Sequence, residues 1–155
     1  MNQRQRKKHS RNLVEAILLS DVTRVKALLR AGADAERADR DGITPLYLAS
    51  VNGQAELVRL LLAAGASPDT ESNAPGLAGT PLCAAACWGS TETVRELLAH
   101  GADPNLREDH GTGITPLKWA NEGGHAETAA LLVAAGASPG GTADLAGAAP
   151  GSTLS

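Results

Sequence analysis

Two thiols lie one helical turn apart, at Cys83 and Cys87. Side chains at i and i+4 share one face of a helix. Zinc sites usually combine a closer cysteine pair with a neighbouring pair of histidines. In this chain the histidines are scattered over separate segments, at His9, His100, His110 and His125. We therefore expect no metal, no cofactor and two buried thiols that act as small hydrophobes. A disulfide within one helix would be strained, and free thiols favour a reducing cytoplasm.

The other groups that could act in catalysis do not form a catalytic pattern. Glu108 and Asp109 are adjacent carboxylates in a loop, where we expect them to be solvated. His125 stands between Gly124 and a helix, which favours a structural role. The glycine-containing loop 111–113 follows no strand and so lacks the context of a dinucleotide site. The chain is predicted not to be an enzyme.

The only tryptophans, Trp88 and Trp119, are candidate binding residues. Tryptophan is enriched in binding hot spots because it buries a large area with few rotatable bonds. The alternative is that each ring packs between structural units. Trp88 stands near a predicted helix end, which favours exposure, whereas the neighbours of Trp119, Leu117 and Ala120, favour packing. Both alternatives remain open at this point.

These residues lie on a repeated sequence unit. Thr-Pro-Leu occurs at residues 44–46, 80–82 and 115–117, and each copy precedes an apolar helix that ends in Gly-Ala. Four such ends place glycines at spacings of 33, 36 and 35 residues, namely Gly32, Gly65, Gly101 and Gly136. A fixed period of this size is typical of stacked units that share a continuous core.

One unit is predicted to be a pair of helices. Thr44 can cap the first helix, Pro45 suits its first turn, and Gly53 ends it. The segment before Gly65 has the apolar spacing of a second helix. In the third unit, Leu98 is expected to lie in the shared core.

The unit resembles the ankyrin repeat, whose pattern contains Thr-Pro-Leu-His-x-Ala. The resemblance implies an all-α solenoid of helix-turn-helix units with short β-hairpin-like fingers. We predict an ankyrin-repeat domain over 13–137, with repeats over 13–38, 39–71, 72–107 and 108–137. Tyr47, Cys83 and Lys118 replace the family histidine, which suggests looser turns. Extra residues within 70–79 and 106–113 are expected to lengthen two fingers.

The resemblance also implies a function and a binding surface. Ankyrin stacks bind partner proteins on a concave face lined by the first helices and the fingers. We expect a non-catalytic interaction module, an adaptor or regulator that is a monomer. The partner-binding residues implied by the resemblance are Arg40, Asp41, Ile43, Tyr47, Val51, Asn52, Cys87, Trp88, Ile114, Trp119 and Glu122.

The two ends differ from the repeats. Residues 1–12 carry five basic and no acidic residues, whereas the rest of the chain has a net charge of −8. We expect a flexible basic arm over 1–12, with the first helix capped by Asn12. A small nucleic-acid-associated regulator that uses this arm is the alternative function, although nucleic acid is not the favoured partner. The Gly- and Ala-rich tail, 138–155, is predicted to be disordered. No segment has the length and apolarity of a membrane span.

Overall fold

The computed structural model of the chain describes residues 2–139, and within that part the regular structure is helical except for one short two-stranded sheet. The elements in chain order are α1 (Gln3–Leu18), α2 (Val22–Arg30), α3 (Pro45–Val51), α4 (Ala55–Ala63), β1 (Ser72–Ala74), β2 (Leu77–Gly79), α5 (Pro81–Cys87), α6 (Thr91–Ala99), α7 (Glu108–Gly111), α8 (Pro116–Glu122) and α9 (Ala126–Ala134). The α7 segment is a single turn.

The helices form two stacked rows. The first helices of successive pairs, α1, α3, α5 and α8, pack side by side in one row. The second helices, α2, α4, α6 and α9, form the other row, and each packs against its own first helix. One hydrophobic core runs through all four pairs, as expected when no single pair can bury its apolar face alone. The predicted all-α stack is therefore confirmed.

A threonine begins each of the first helices α3, α5 and α8. The hydroxyl oxygens of Thr44, Thr80 and Thr115 accept hydrogen bonds of 3.2, 3.1 and 3.2 Å from backbone N–H groups three residues later. Proline occupies the first turn in all three cases, where its missing N–H has no intrahelical partner to lose. These are the caps that the repeated Thr-Pro-Leu predicts.

Leucines from both rows fill the core. Leu46, Leu82 and Leu117 are buried at equivalent positions of the first helices. In α6 the fully buried leucine is Leu97, whereas Leu98 is only half-buried at the edge of the core. Leu98, which the sequence placed in the shared core, packs against that core at its edge, and Leu97 takes the central position. The apolar run does not by itself fix the helix rotation.

Helix α1 overturns the expectation of a flexible arm over residues 1–12. It begins at Gln3, and Asn2 caps it in a reciprocal pair of hydrogen bonds with Gln5. Asn12 lies inside the helix and caps nothing. Residues that favour helix fill this segment, with no proline or glycine to end it. After α1, Ser20 has a φ of 54°, the left-handed conformation that Gly53 has after α3.

The two lengthened loops fold differently from each other. Strands β1 and β2 form an antiparallel hairpin that pairs Ser72 with Gly79. This hairpin is attached to the preceding loop, because the N–H of Asn73 donates to the carbonyl of Gly42 at 3.1 Å. The segment 106–113 contains the left-handed turn α7, with φ of 52° at Asp109 and 55° at His110. No strand forms in that loop, but backbone hydrogen bonds of 3.2 and 2.9 Å join Glu108 to Ile114 and Gly113 and close the loop.

The chain end falls largely outside this description. Residues 140–155 lie outside the described residues, and so does most of the predicted disordered tail over 138–155. Among the residues that the structure does describe, no helix is long and apolar enough to cross a membrane.

Candidate protein-binding surface

The sequence-predicted site residues lie on helices α3, α5 and α8, at the C-caps of these helices and on the loops that precede them. We call this surface the inner face. The structure separates them by exposure. Exposed side chains are those of Arg40, Asp41, Asn52, Trp88 and Glu122, and half-buried ones are those of Ile43, Val51, Cys87, Ile114 and Trp119. Tyr47 is buried. The inner face therefore offers most of the predicted side chains to solvent, but not all of them.

Trp88 is the most exposed large apolar side chain on the inner face, with 67 % of its surface accessible. It is the C-cap residue of α5, and the equivalent C-cap residues of α3 and α8 are Asn52 and Gly123. The tryptophan is thus flanked along the row by a smaller amide and by a glycine. Neither equivalent position carries a bulky side chain.

The backbone beneath Trp88 is held by the next repeat. Nε2 of His125 lies 3.0 Å from the carbonyl oxygen of Cys87, and because a carbonyl only accepts, this nitrogen carries the proton. Gly89 has a φ of 65°, and a Cβ at that position would lie 2.4 Å from Nδ1 of His125. His125 has a structural contact here, in agreement with the structural role favoured from its sequence context.

Trp119 is half-buried and joins a helix to a loop. Its Nε1 donates a hydrogen bond of 3.0 Å to Oε1 of Glu108. The pKa of Glu108 is raised above its ordinary value, first by burial and then by repulsion from Asp109 and Glu71, while the Trp119 hydrogen bond opposes the shift. The expectation that Glu108 is a solvated loop carboxylate is wrong, because α8 brings an indole N–H to it.

Tyr47 does not belong to the open surface, contrary to the prediction. Its side chain is buried at 7 % exposure, and its hydroxyl donates a 3.2 Å hydrogen bond to the carbonyl of Ala78 in β2. Burial raises the pKa of this hydroxyl, and the nearby Glu108 adds to the shift. The hairpin covers the ring, which a one-dimensional pattern does not show.

Cys83 occupies the equivalent position in the next repeat and is also buried. Its Sγ lies 3.5 Å from the carbonyl oxygen of Ile114, a distance suited to a weak thiol hydrogen bond. Tyr47 and Cys83 thus each link a first helix to the following loop, so the expected loosening at the missing histidines is not found at these two positions. At the third such position, Lys118 is exposed.

The thiols are poorly suited to nucleophilic or metal chemistry. Burial raises the pKa of Cys83 to about 12. The pKa of Cys87 is also raised, first by burial and then by the carboxylates of Glu108 and Glu122. Neutral thiols are weak nucleophiles and weak ligands. Across residues 2–139 no three His, Cys, Asp or Glu side chains are grouped closely enough to hold a metal ion.

Sequence reasoning missed one contact that shapes the fourth loop. The carboxylate of Glu71 accepts from the backbone N–H of His110 at 3.1 Å and lies 2.7 Å from the Nδ1 of the same residue. The side chain of Glu71 is only 13 % exposed. This contact joins residues 39 positions apart, and only the unusual length of both loops could have signalled it.

Comparison with known proteins agrees with this architecture. A family model described as ankyrin repeats in three copies matches residues 12–72 and 68–143. The chain is 45 % identical over 58 residues to a mouse 2-5A-dependent ribonuclease, and 36 % identical over 61 residues to the mouse protein phosphatase 1 regulatory subunit 27. These matches cover 37 % and 39 % of the chain, and 8 % and 40 % of those relatives.

A longer match also covers only a segment of the relative. The chain is 30 % identical over 131 residues, or 83 % of its length, to the Drosophila melanogaster palmitoyltransferase Hip14, of which the match covers 14 %. The chain thus spans less than half the length of each of these relatives, and what it shares with them is a segment rather than the whole protein. With the helix pairs, the threonine caps and the family match together, the chain belongs to the ankyrin-repeat family.

Proposed function

We propose that this protein is a non-catalytic adaptor or regulator that binds a partner protein on the concave inner face of its repeats. Ankyrin repeats are in general protein–protein interaction modules, and one relative is named as a regulatory subunit of a phosphatase. The observation that carries the proposal is the exposure of Trp88, at 67 %, on a helix end that the rest of the stack holds in place.

Trp88 has the properties of an interface anchor. A tryptophan that is two-thirds exposed in the free protein has a large apolar area left to bury against a partner. The α5 helix and the contact between His125 and Cys87 fix its backbone, so binding would immobilise few additional rotors. Residues of this kind contribute about 2 kcal/mol or more to binding when they occupy the centre of an interface.

The rest of the inner face supplies a polar rim around this anchor. Asn52 lies at the equivalent helix end on one side, and Glu122 lies in the last turn of α8 on the other. Both side chains are exposed. Polar and charged side chains at the edge of an interface contribute to orientation and association rate more than to affinity. In this proposal Trp88 supplies affinity, and its neighbours supply selectivity.

Affinity purification from the native cell with wild-type protein as bait tests the proposal. Partners identified by mass spectrometry are then measured against Trp88→Ala and against the control Val133→Ala, which truncates a side chain of 55 % exposure on α9. We expect Trp88→Ala to weaken binding at least about tenfold and Val133→Ala to leave it unchanged. Both variants should unfold at the wild-type midpoint, because both side chains are exposed. If every partner binds Trp88→Ala as tightly as wild type, the proposed anchor is wrong.

A further inference from the structure

The N-terminal part of α1 carries a line of basic side chains. Arg4, Lys7, Lys8 and Arg11 follow the spacing i, i+3, i+4 and i+7, which places all four on one side of a helix. We call these four residues the basic stripe. All are exposed, and no ion pair in the described part of the chain involves them.

The stripe faces away from the repeats. Ser10 of α1 is buried, at 5 % exposure. The apolar side chains that attach α1 to the stack are Leu13, Ala16 and Ile17, all fully buried. At 100° per residue they lie on the side of the helix opposite the stripe. In the other repeats the first helix begins at its Thr-Pro turn, whereas α1 starts earlier, and residues 3–9 extend it by about two turns before its first buried residue, Ser10.

This arrangement is electrostatically unfavourable in the free protein. Arg4 and Lys8, and likewise Lys7 and Arg11, are like charges at i and i+4, which destabilise a helix. Arg4 also lies in the first turn of α1, where the helix dipole favours negative charge, and that turn contains no acidic residue. An anionic partner along the stripe would relieve both effects.

Apolar side chains continue the same surface. Leu18 lies on the same side of α1 as the stripe, seven residues or about 10 Å beyond Arg11. Leu18 and Leu19 are 61 % and 65 % exposed. Glu15, which lies between Arg11 and Leu18, is neutralised by an ion pair of 3.1 Å with Arg24. The surface is therefore basic at one end and apolar at the other.

We propose that this surface of α1 is a second docking site, separate from the inner face, for an acidic segment of a partner protein that ends in bulky apolar residues. Its carboxylates would pair with the basic stripe and its apolar residues would cover Leu18 and Leu19. The leucine pair favours a peptide over nucleic acid, because a phosphate backbone gains nothing from it. A membrane is also disfavoured as the partner. An interfacial helix has its apolar residues on the face opposite its basic residues, whereas the face of α1 opposite the basic stripe is packed on the stack.

Fluorescence anisotropy on the full chain tests this site with three labelled probes. These are an Asp- and Glu-rich peptide that ends in two leucines, the same peptide with serines in place of the leucines, and a duplex DNA. Binding to a fourth probe, phosphatidylserine vesicles, is measured by co-sedimentation. The variants are Lys7→Gln with Lys8→Gln, and Leu18→Ser. The control is Lys26→Gln with Lys118→Gln, which changes the net charge equally away from the stripe. Circular dichroism verifies that the helices are retained.

We expect the leucine peptide to bind with an affinity that falls with salt, and the serine peptide to bind several-fold more weakly. The stripe variant should weaken binding of the leucine peptide about tenfold, Leu18→Ser should weaken it several-fold, and the control and Trp88→Ala should have no effect. The proposal is overturned if the leucine peptide does not bind or binds no tighter than the serine peptide. It is also overturned if DNA or vesicles bind more tightly than the leucine peptide, or if the control variant weakens binding as much as the stripe variant does. Because Trp88→Ala leaves this binding unchanged, the result does not depend on the inner face.

Discussion

The indole of Trp119 in α8 is joined to the carboxylate of Glu108 in the preceding loop by a hydrogen bond of 3.0 Å. This contact gives a half-buried carboxylate a donor and ties the fourth loop to its own helix. Burial still raises the pKa of Glu108, so the charged form is favoured less in the folded protein than in the unfolded chain. The inner face therefore contains a carboxylate whose ionisation is linked to folding.

The first prediction concerns the pH dependence of this carboxylate. Because folding raises the pKa of Glu108, the protonated carboxyl favours the folded state. This contribution to stability is fully present below the unfolded pKa of about 4.5 and is lost as the pH rises through the pKa of the folded protein. Glu108→Gln keeps an acceptor for Trp119 and has no charge to bury. We expect the variant to gain stability relative to wild type between about pH 4 and pH 7, measured by urea denaturation. Glu127→Gln, at an exposed position, is the control, and an equal gain there would contradict the prediction.

The second prediction concerns the core of the third repeat. Leu97 is completely buried, whereas its neighbour Leu98 is half-buried. Leu97→Ala should lower the free energy of unfolding by about 2–5 kcal/mol, because it removes apolar contacts and leaves a cavity. Leu98→Ala should have a smaller effect by the same denaturation measurement. Equal losses for the two variants would mean that α6 is rotated differently against the core.

The third prediction concerns the tie between the second repeat and the hairpin. Tyr47→Phe keeps the buried ring but removes the hydroxyl that donates to the carbonyl of Ala78. The loss should be about 1 kcal/mol, typical of one hydrogen bond with a partly buried acceptor. Thermal or urea unfolding measures it. An unchanged midpoint would show that the hairpin is not held by this hydroxyl.

The fourth prediction compares two glycines with similar backbone conformations. Gly89 and Gly124 have φ values of 65° and 72°, so alanine is strained at both. A new Cβ at Gly124 meets nothing within 4 Å, whereas one at Gly89 lies 2.4 Å from the ring of His125. Gly89→Ala should therefore destabilise the protein more than Gly124→Ala. The difference in free energy of unfolding between the two variants should shrink when His125→Ala is added to both. If the difference stays the same, His125 is not its cause.

Local sequence patterns predicted the repeated part of this fold. The caps at Thr44, Thr80 and Thr115 depend on residues three positions apart, and the period of the Gly-Ala ends gave the number of helix pairs. The place of Trp88 near a helix end favoured its exposure, although packing between repeats had remained an open alternative. Features with a local cause are thus visible in the sequence alone.

The contacts that were missed join residues far apart in the chain. Tyr47 is covered by a hairpin 31 residues later, and Glu71 reaches a turn 39 residues later. The N-terminal part of α1, residues 3–12, was missed for a different reason, because its basic composition was taken as a sign of flexibility while its residues have good helix propensity. Charge predicts solvent exposure better than it predicts the absence of structure.

The contact of His125 with the carbonyl of Cys87 makes the helix pair α8 and α9 the support of Trp88. Local opening that separates this pair from α5 would break the contact. A ligand that needs Trp88 in its supported position therefore binds the closed arrangement of these helices in preference to the opened one. By thermodynamic linkage, occupancy at Trp88 protects the amides of α9 from hydrogen exchange, although the ligand need not touch that helix.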